Sequence, residues 1–180
     1  DVGIGNTTTS SAAASGRRGE CVEKMTGKGA GLADTGLKRK IAVIQQSIAR
    51  HRPESQDAID VLAKVGGLDI AGLTGVFIGG AMHQIPIVID GFISSVAALC
   101  AVRICEQVRD YMLPSHVSNE PGGKILLDAL GFTPFLTCGM FLGEGSGAVA
   151  LFPLLDMALS VYQKMGTFED ICVEQYEVLH

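Results

Sequence analysis

The sequence predicts an α/β fold, a largely parallel sheet flanked by helices. Three observations predict it. Segments with helical periodicity alternate with short, continuously apolar runs, the pattern of strands covered on both faces. The clearest such unit is IPIVID (85–90), followed by a turn at Gly91 and the helical pattern ISSVAALCAVRICEQVRDYM. Finally, three glycine-rich loops precede helical segments: VGIGNTT, TGKGAGL and GEGSGA. In open parallel sheets, ligands sit where such loops gather, at the carboxyl ends of the strands.

In chain order, NTTTSSAAAS reads as a helix start, with Asn6 or Thr7 able to cap the first free N–H groups. The stretch from Gly16 to Leu32 is a glycine-punctuated connection. From Asp34, DTGLKRKIAVIQQSIARH puts Leu37, Ile41, Ile44 and Ile48 on one stripe, an amphipathic helix that stops before Arg52-Pro53. SQDAIDVLAKVGG is a further helix, with Ser55 as its expected cap and the glycines as its stop. LDIAGLTGVFIGGAMHQ is apolar on most faces and predicts a buried helix. After the strand and long helix of the βα unit come a second short strand in MLPSHVS, the loop NEPGG and the helix KILLDALG. AVALFPLLDMALSVYQKM is the last helix, with a kink expected at Pro153. The tail after Gly166 is ambiguous. No internal repeat or low-complexity linker divides the chain, so residues 1–180 are expected to form a single domain.

Composition narrows the function. Apolar residues make up 47% of the chain and charged residues 18%, a globular balance far from disorder. The net charge of −5 and the absence of Trp argue against binding to a nucleic acid. Five cysteines are widely spread, without a C-x-x-C pair or a histidine at ligand spacing. They read as reduced thiols of a cytoplasmic protein, and no metal or other cofactor is expected. The run GFISSVAALCAVRIC is too short to span a membrane.

The polar residues in the loops are the candidates for chemistry. GIGNTT brings backbone N–H groups and two threonine hydroxyls to a helix start, which suits an anion; a tight turn with a cap is the alternative. TGKGAGL has the same two readings, with Lys28 as a point charge. Neither loop is a Walker motif, because no G-K-[ST] follows. Glu144 stands between two glycines beside Leu142. In an apolar cleft it would suit a general base; otherwise it is a carboxylate stabilised by a helix dipole. Asp90 at a strand end is either a site residue or a cap for the helix that follows. In SHVSNEPGG, Ser115, His116, Ser118 and Glu120 are available, and Ser118 fits a phosphate or ribose ligand better than a nucleophile. His83 reads as a structural histidine; His51 and His180 read as solvent groups.

Six stretches in this order, DVGIGNTTTSSA, TGKGAGL, VGGLDIAGLTG, IPIVIDGFISSVAAL, SHVSNEPG and TCGMFLGEGSGAVALFPLLDMA, resemble the nicotinate-nucleotide–dimethylbenzimidazole phosphoribosyltransferase family. The resemblance runs from Asp1 to about Phe168. It implies a Rossmann-like fold and that the chain corresponds to the C-terminal half of such an enzyme. It implies transfer of phosphoribose from nicotinate mononucleotide to 5,6-dimethylbenzimidazole, giving α-ribazole 5′-phosphate and nicotinate. Glu144 matches the family's catalytic base. Gly3, Gly5, Asn6 and Thr7 would line the phosphoribosyl site, Gly29 and Ser118 would lie near the phosphate, and Val2 and Leu142 would touch the benzimidazole. Asp90 would contact ribose or support a loop, and Lys40 matches a basic position although its own pattern reads as a solvated helix residue. The resemblance also implies a homodimer. Asp1 stands where the family usually has Glu, and Ala30 where a hydroxyl residue is common. The alternative to an enzyme is a phosphate- or nucleotide-binding half without turnover, active only with a separate N-terminal half.

Overall fold

The computed structural model describes residues 3, 5–18, 21–29, 31–140 and 142–174. Their element order is α1 (Thr7–Arg18), α2 (Val22–Met25), α3 (Asp34–His51), α4 (Ala58–Val65), α5 (Leu68–Met82), β1 (Ile87–Ile89), α6 (Phe92–Ile104), β2 (Met112–Pro114), α7 (Gly123–Leu130) and α8 (Ser146–Lys164). The fold is a helix-rich α/β arrangement around a small parallel sheet. β1 and β2 pair in parallel with Ile87 opposite Met112 and Ile89 opposite Pro114. Past β2 the pairing is extended by a parallel bridge between His116 and Leu136, which brings the segment before GEGSGA to the same sheet end.

The core is built around α6. Its residues from Ser95 to Ala101 are all buried, and it packs against α5, α7, α1 and α4. Small side chains make this crowding possible: Ala12, Ala13 and Ala14 of α1 and Ala97, Ala98 and Ala101 of α6 are each 5% exposed or less. The larger fillers are Met25, Ile44, Ile70, Phe77, Val96, Leu99 and Leu126.

The structure corrects four local readings. The long helix after IPIVID ends at Ile104, where Cys105 is extended, and a 3₁₀ turn from Glu106 to Tyr111 carries the chain back to start β2. The cap of α4 is Asp57, not Ser55: its Oδ1 accepts from the N–H groups of Ile59 (2.9 Å) and Asp60 (3.2 Å). α5 buries one stripe, Ile70, Thr74, Phe77 and Gly80, while Leu68, Val76 and Met82 are exposed, so it is not enclosed on most faces. His83 is exposed rather than structural, while His51 is exposed as expected and His180 lies outside the described residues.

α8 is the one described helix long and apolar enough to cross a membrane, by length and composition only. It leaves Val149, Phe152, Met157, Leu159, Val161 and Tyr162 exposed.

Candidate functional site

The first, second and third glycine loops converge on a cavity of about 260 Å³ at the carboxyl end of β1. Its polar wall includes Gly3, Thr7, Gly29, Asp90, His116, Ser118 and Glu120, and Leu142, Gly143 and Gly145 form one rim. The apolar wall comes from Leu73, Val76 and Phe77 of α5 with Ile87 and Ile93. A cavity with apolar walls and a few convergent polar groups is what a small-molecule site requires.

Asp90 organises one side. Its Oδ1 accepts from the N–H groups of Gly147 (2.9 Å) and Ala148 (3.1 Å), and its Oδ2 accepts from Gly145 N–H (3.1 Å). The strand-end acid therefore caps the distant α8 and not the helix that follows it, α6, which starts at Gly91 without a side-chain cap. The negative charge meets the positive end of α8. This clamp fixes the loop that carries Glu144. Gly143, Glu144 and Gly145 have consecutive positive φ values of 75°, 58° and 82°. That conformation is free for the glycines and costs a residue with a Cβ about 1 kcal/mol or more. Glu144 itself is exposed and stands beside the cavity rather than in its wall, and Leu142 is 71% exposed. The apolar, shielded crevice expected around Glu144 is therefore not formed by the described residues. The cause is geometric: the loop projects outward from the Asp90 clamp, and no described element of this chain packs over it.

Ser115, behind the wall, and His116, in it, are almost fully buried, 0% and 4% exposed. Ser115 Oγ donates to the backbone carbonyl of Asp90 (3.1 Å) and lies 3.0 Å from His116 Nδ1. With the serine proton so engaged, Nδ1–H is the donor of the second bond and Nε2 keeps a lone pair. Burial pushes the His116 pKa down, against the opposing pull of Asp90. Gly147 packs on this ring: a Cβ there would overlap the imidazole.

On the other side, Lys40 is 7% exposed although its residue type suggests solvent. Its ammonium donates to Thr7 Oγ1 (2.9 Å) and to the Gly27 carbonyl (3.0 Å), tying the first glycine loop to the second. Burial holds its pKa below the usual lysine range, while the charge of Glu120 acts in the opposite direction. Gly29, at φ 56°, faces Thr7 closely enough that a Cβ would come within 2.9 Å of Oγ1.

Of the residues singled out in the sequence, Gly3, Thr7, Gly29, Asp90, Ser118 and Leu142 meet around the cavity. Gly5 and Asn6 are not in its wall. The Asn6 amide donates to Asp69 Oδ2 (2.8 Å), joining the start of α1 to α5. Val2 lies outside the described residues. Sequence reasoning missed the buried state of Lys40 and gave no role to Glu120 or to the α5 wall. A signal for Lys40 was present: it precedes Ile44 and Ile48 at spacings of four, so it shares their face. Among the described residues no group of three or more His, Cys, Asp or Glu is placed to hold a metal ion.

A family model described as Phosphoribosyltransferase matches residues 1–173. A curated relative from Acetivibrio thermocellus, named nicotinate-nucleotide–dimethylbenzimidazole phosphoribosyltransferase, is 54% identical over 177 residues, which cover 98% of this chain and 50% of the relative. One of the same name from Ruminiclostridium cellulolyticum is 52% identical, over 99% of this chain and 51% of the relative. The crystal structure of CobT from Thermus thermophilus superposes with a TM-score of 0.88 at 35% identity, over 96% of this chain and 51% of that one. The chain thus spans about half the length of the curated relatives it matches. Sequence and fold agree over that span, and the chain belongs to this phosphoribosyltransferase family.

Proposed function

We propose that this chain carries the phosphoribose-binding and base-bearing part of an enzyme that moves phosphoribose from nicotinate mononucleotide to 5,6-dimethylbenzimidazole. The observation that carries the reading is the cavity itself: N–H and hydroxyl donors from Gly29, Thr7 and Ser118 stand on one wall, and the Asp90-clamped loop bearing Glu144 borders the other. The donors and Lys40 suit a phosphate, through charge-assisted hydrogen bonds. Gly3 borders the same cavity, and Gly5 and Asn6 of the same loop would line the phosphoribosyl site, with Val2 meeting the benzimidazole.

In the reaction, Glu144 accepts the proton from one benzimidazole nitrogen. The lone pair of the other nitrogen attacks the anomeric carbon, and the glycosidic bond to nicotinate breaks with inversion. The leaving ring takes the bonding electrons and loses its positive charge. Removing a proton during attack makes a weakly nucleophilic azole effective, and holding both partners in line supplies much of the rest. Leu142, at the rim, would meet the benzimidazole.

A second reading has its own support. Glu144 and Leu142 are both open to solvent, so a further surface is needed to dry the reacting centre. On that reading the chain binds phosphoribose but turns over only when a second protein surface covers the rim. We also read the exposed apolar residues of α8 as the face on which two copies pair, a homodimer that size-exclusion chromatography with light scattering tests directly.

The discriminating experiment is incubation with nicotinate mononucleotide and dimethylbenzimidazole, with chromatographic detection of α-ribazole 5′-phosphate and nicotinate. It is run with the chain alone and with the portion of a relative that this chain does not match. Product from the chain alone supports the first reading, and product only on complementation supports the second. No product in either, with no binding of nicotinate mononucleotide, overturns both.

A further inference from the structure

Two carboxylates stand in the described cavity wall, Asp90 and Glu120, and they are differently engaged. Both oxygens of Asp90 are occupied by backbone N–H groups at the start of α8. No described hydrogen bond ends on the Glu120 carboxylate, although its placement is closely set. Its backbone N–H donates to Ser118 Oγ (3.3 Å), and its carboxylate lies over Gly27, where a Cβ would overlap Oε2. Lys40 Nζ is bonded to the carbonyl of that same Gly27 and senses the charge of Glu120 without bonding to it directly. A half-buried carboxylate of the cavity wall is thus seated on a glycine, with Oε2 against Gly27, beside a buried cation.

The chemistry of the oxygens selects what they take. A phosphate offers no donor near neutral pH and repels a carboxylate. The neighbouring donors Thr7, Gly29 and Ser118 supply what a phosphate needs, and an acceptor among them is superfluous for that group. A vicinal diol is the reverse case, two O–H donors that a carboxylate receives in charge-assisted bonds. We propose that Glu120 is the ribose-reading residue of this cavity, accepting hydrogen bonds from the 2′- and 3′-hydroxyls of the bound phosphoribosyl group while Lys40 balances its charge. The inference rests on the phosphoribosyl reading above and adds the residue that makes the site prefer ribose over deoxyribose.

The test is calorimetric titration of the full chain with nicotinate mononucleotide and with its 2′-deoxy and 3′-deoxy analogues, repeated on Glu120→Gln. The unaltered chain is expected to bind the ribonucleotide about 10- to 100-fold more tightly than a deoxy analogue, the span of one hydrogen bond to a charged group. In Glu120→Gln, near-isosteric and seated on the same glycine, that preference is expected to fall to within about threefold, with the deoxy analogues bound as before. Equal affinity of the unaltered chain for ribo and deoxy ligands overturns the proposal without recourse to a variant. Retention of the full preference in Glu120→Gln overturns it too and assigns the hydroxyls elsewhere. If nicotinate mononucleotide does not bind the unaltered chain at all, the phosphoribosyl reading fails and this inference falls with it, an outcome distinct from the other two.

Discussion

The carboxylate of Asp90 meets the backbone N–H of Gly147 at 2.9 Å, joining the end of β1 to the first turn of α8 across 57 residues of sequence. Two more N–H groups, of Gly145 and Ala148, share the same carboxylate. One side chain therefore fixes the direction of α8 and the exit of the loop that holds Glu144. Asp90→Ala leaves three donors without their acceptor, and a loss of about 2–3 kcal/mol in stability is expected. Asp90→Asn loses the charge and turns one of the two acceptor oxygens into an NH2 that cannot accept, but keeps the other acceptor, so its cost is expected to be smaller, about 1–2 kcal/mol. Urea denaturation of the three proteins checks the order; equal midpoints would mean that the clamp does not hold the helix.

Glu144 is exposed and held at positive φ between two glycines, so its side chain contributes little to folding. Glu144→Gln is expected to lower kcat by on the order of 10²–10⁴, the usual worth of a general base. Binding of nicotinate mononucleotide and the melting temperature should stay nearly unchanged. Steady-state kinetics under conditions that give product decide it, and a variant as fast as the parent removes Glu144 from the mechanism.

Gly147 has no room for a methyl group, because its Cβ would overlap His116, whereas Gly72 on the exposed side of α5 has no neighbour within 4 Å. Gly147→Ala is expected to destabilise by about 1–3 kcal/mol through overpacking. Gly72→Ala should instead stabilise by about 0.5–1 kcal/mol, because alanine restricts the unfolded chain and suits a helix interior. Opposite shifts in thermal midpoint are the expected result, and shifts of the same sign would contradict the packing around His116.

His116 is buried with its pKa lowered by desolvation, while Asp90 acts in the other direction. A base with a depressed folded pKa favours the folded state in its neutral form. The unfolded chain binds the proton first as pH falls through the ordinary histidine range near 6.5, so stability is present above that pH and is lost below it. Melting temperatures measured from pH 8 down to about 5.5 should fall, and His116→Gln should flatten the slope in that window. An unchanged slope in the variant would assign the effect to other groups.

Local pattern made much of the helical part legible. The stripe of α3 and its stop before Pro53, a strand within 85–90 and the glycine stop of α4 follow from periodicity and from residues that break it. The glycine loops were legible as loops before helices, and the structure brings Gly3, Thr7, Gly29 and Gly143 to one cavity. What local pattern did not carry was the choice of distant partner. Asp90 was open between a site residue and a cap for α6, and it caps α8, while the amide of Asn6 reaches Asp69, 63 residues away.

Lys40 shows the same division from the other side. Its residue type suggests a solvated position, but its spacing from Ile44 puts it on the buried face, where two oxygen acceptors 13 and 33 residues away receive it. By itself the sequence determined most of the helices, the short parallel strands and the set of glycine loops, because hydrophobic period and backbone freedom are properties of a few neighbouring residues. Only the tertiary structure decided which loops share a cavity, which carboxylate is consumed by a helix end and which stays available, and that Glu144 stands open at the rim. Those outcomes depend on hydrogen bonds and burial between residues tens of positions apart, and no short window of sequence contains both partners.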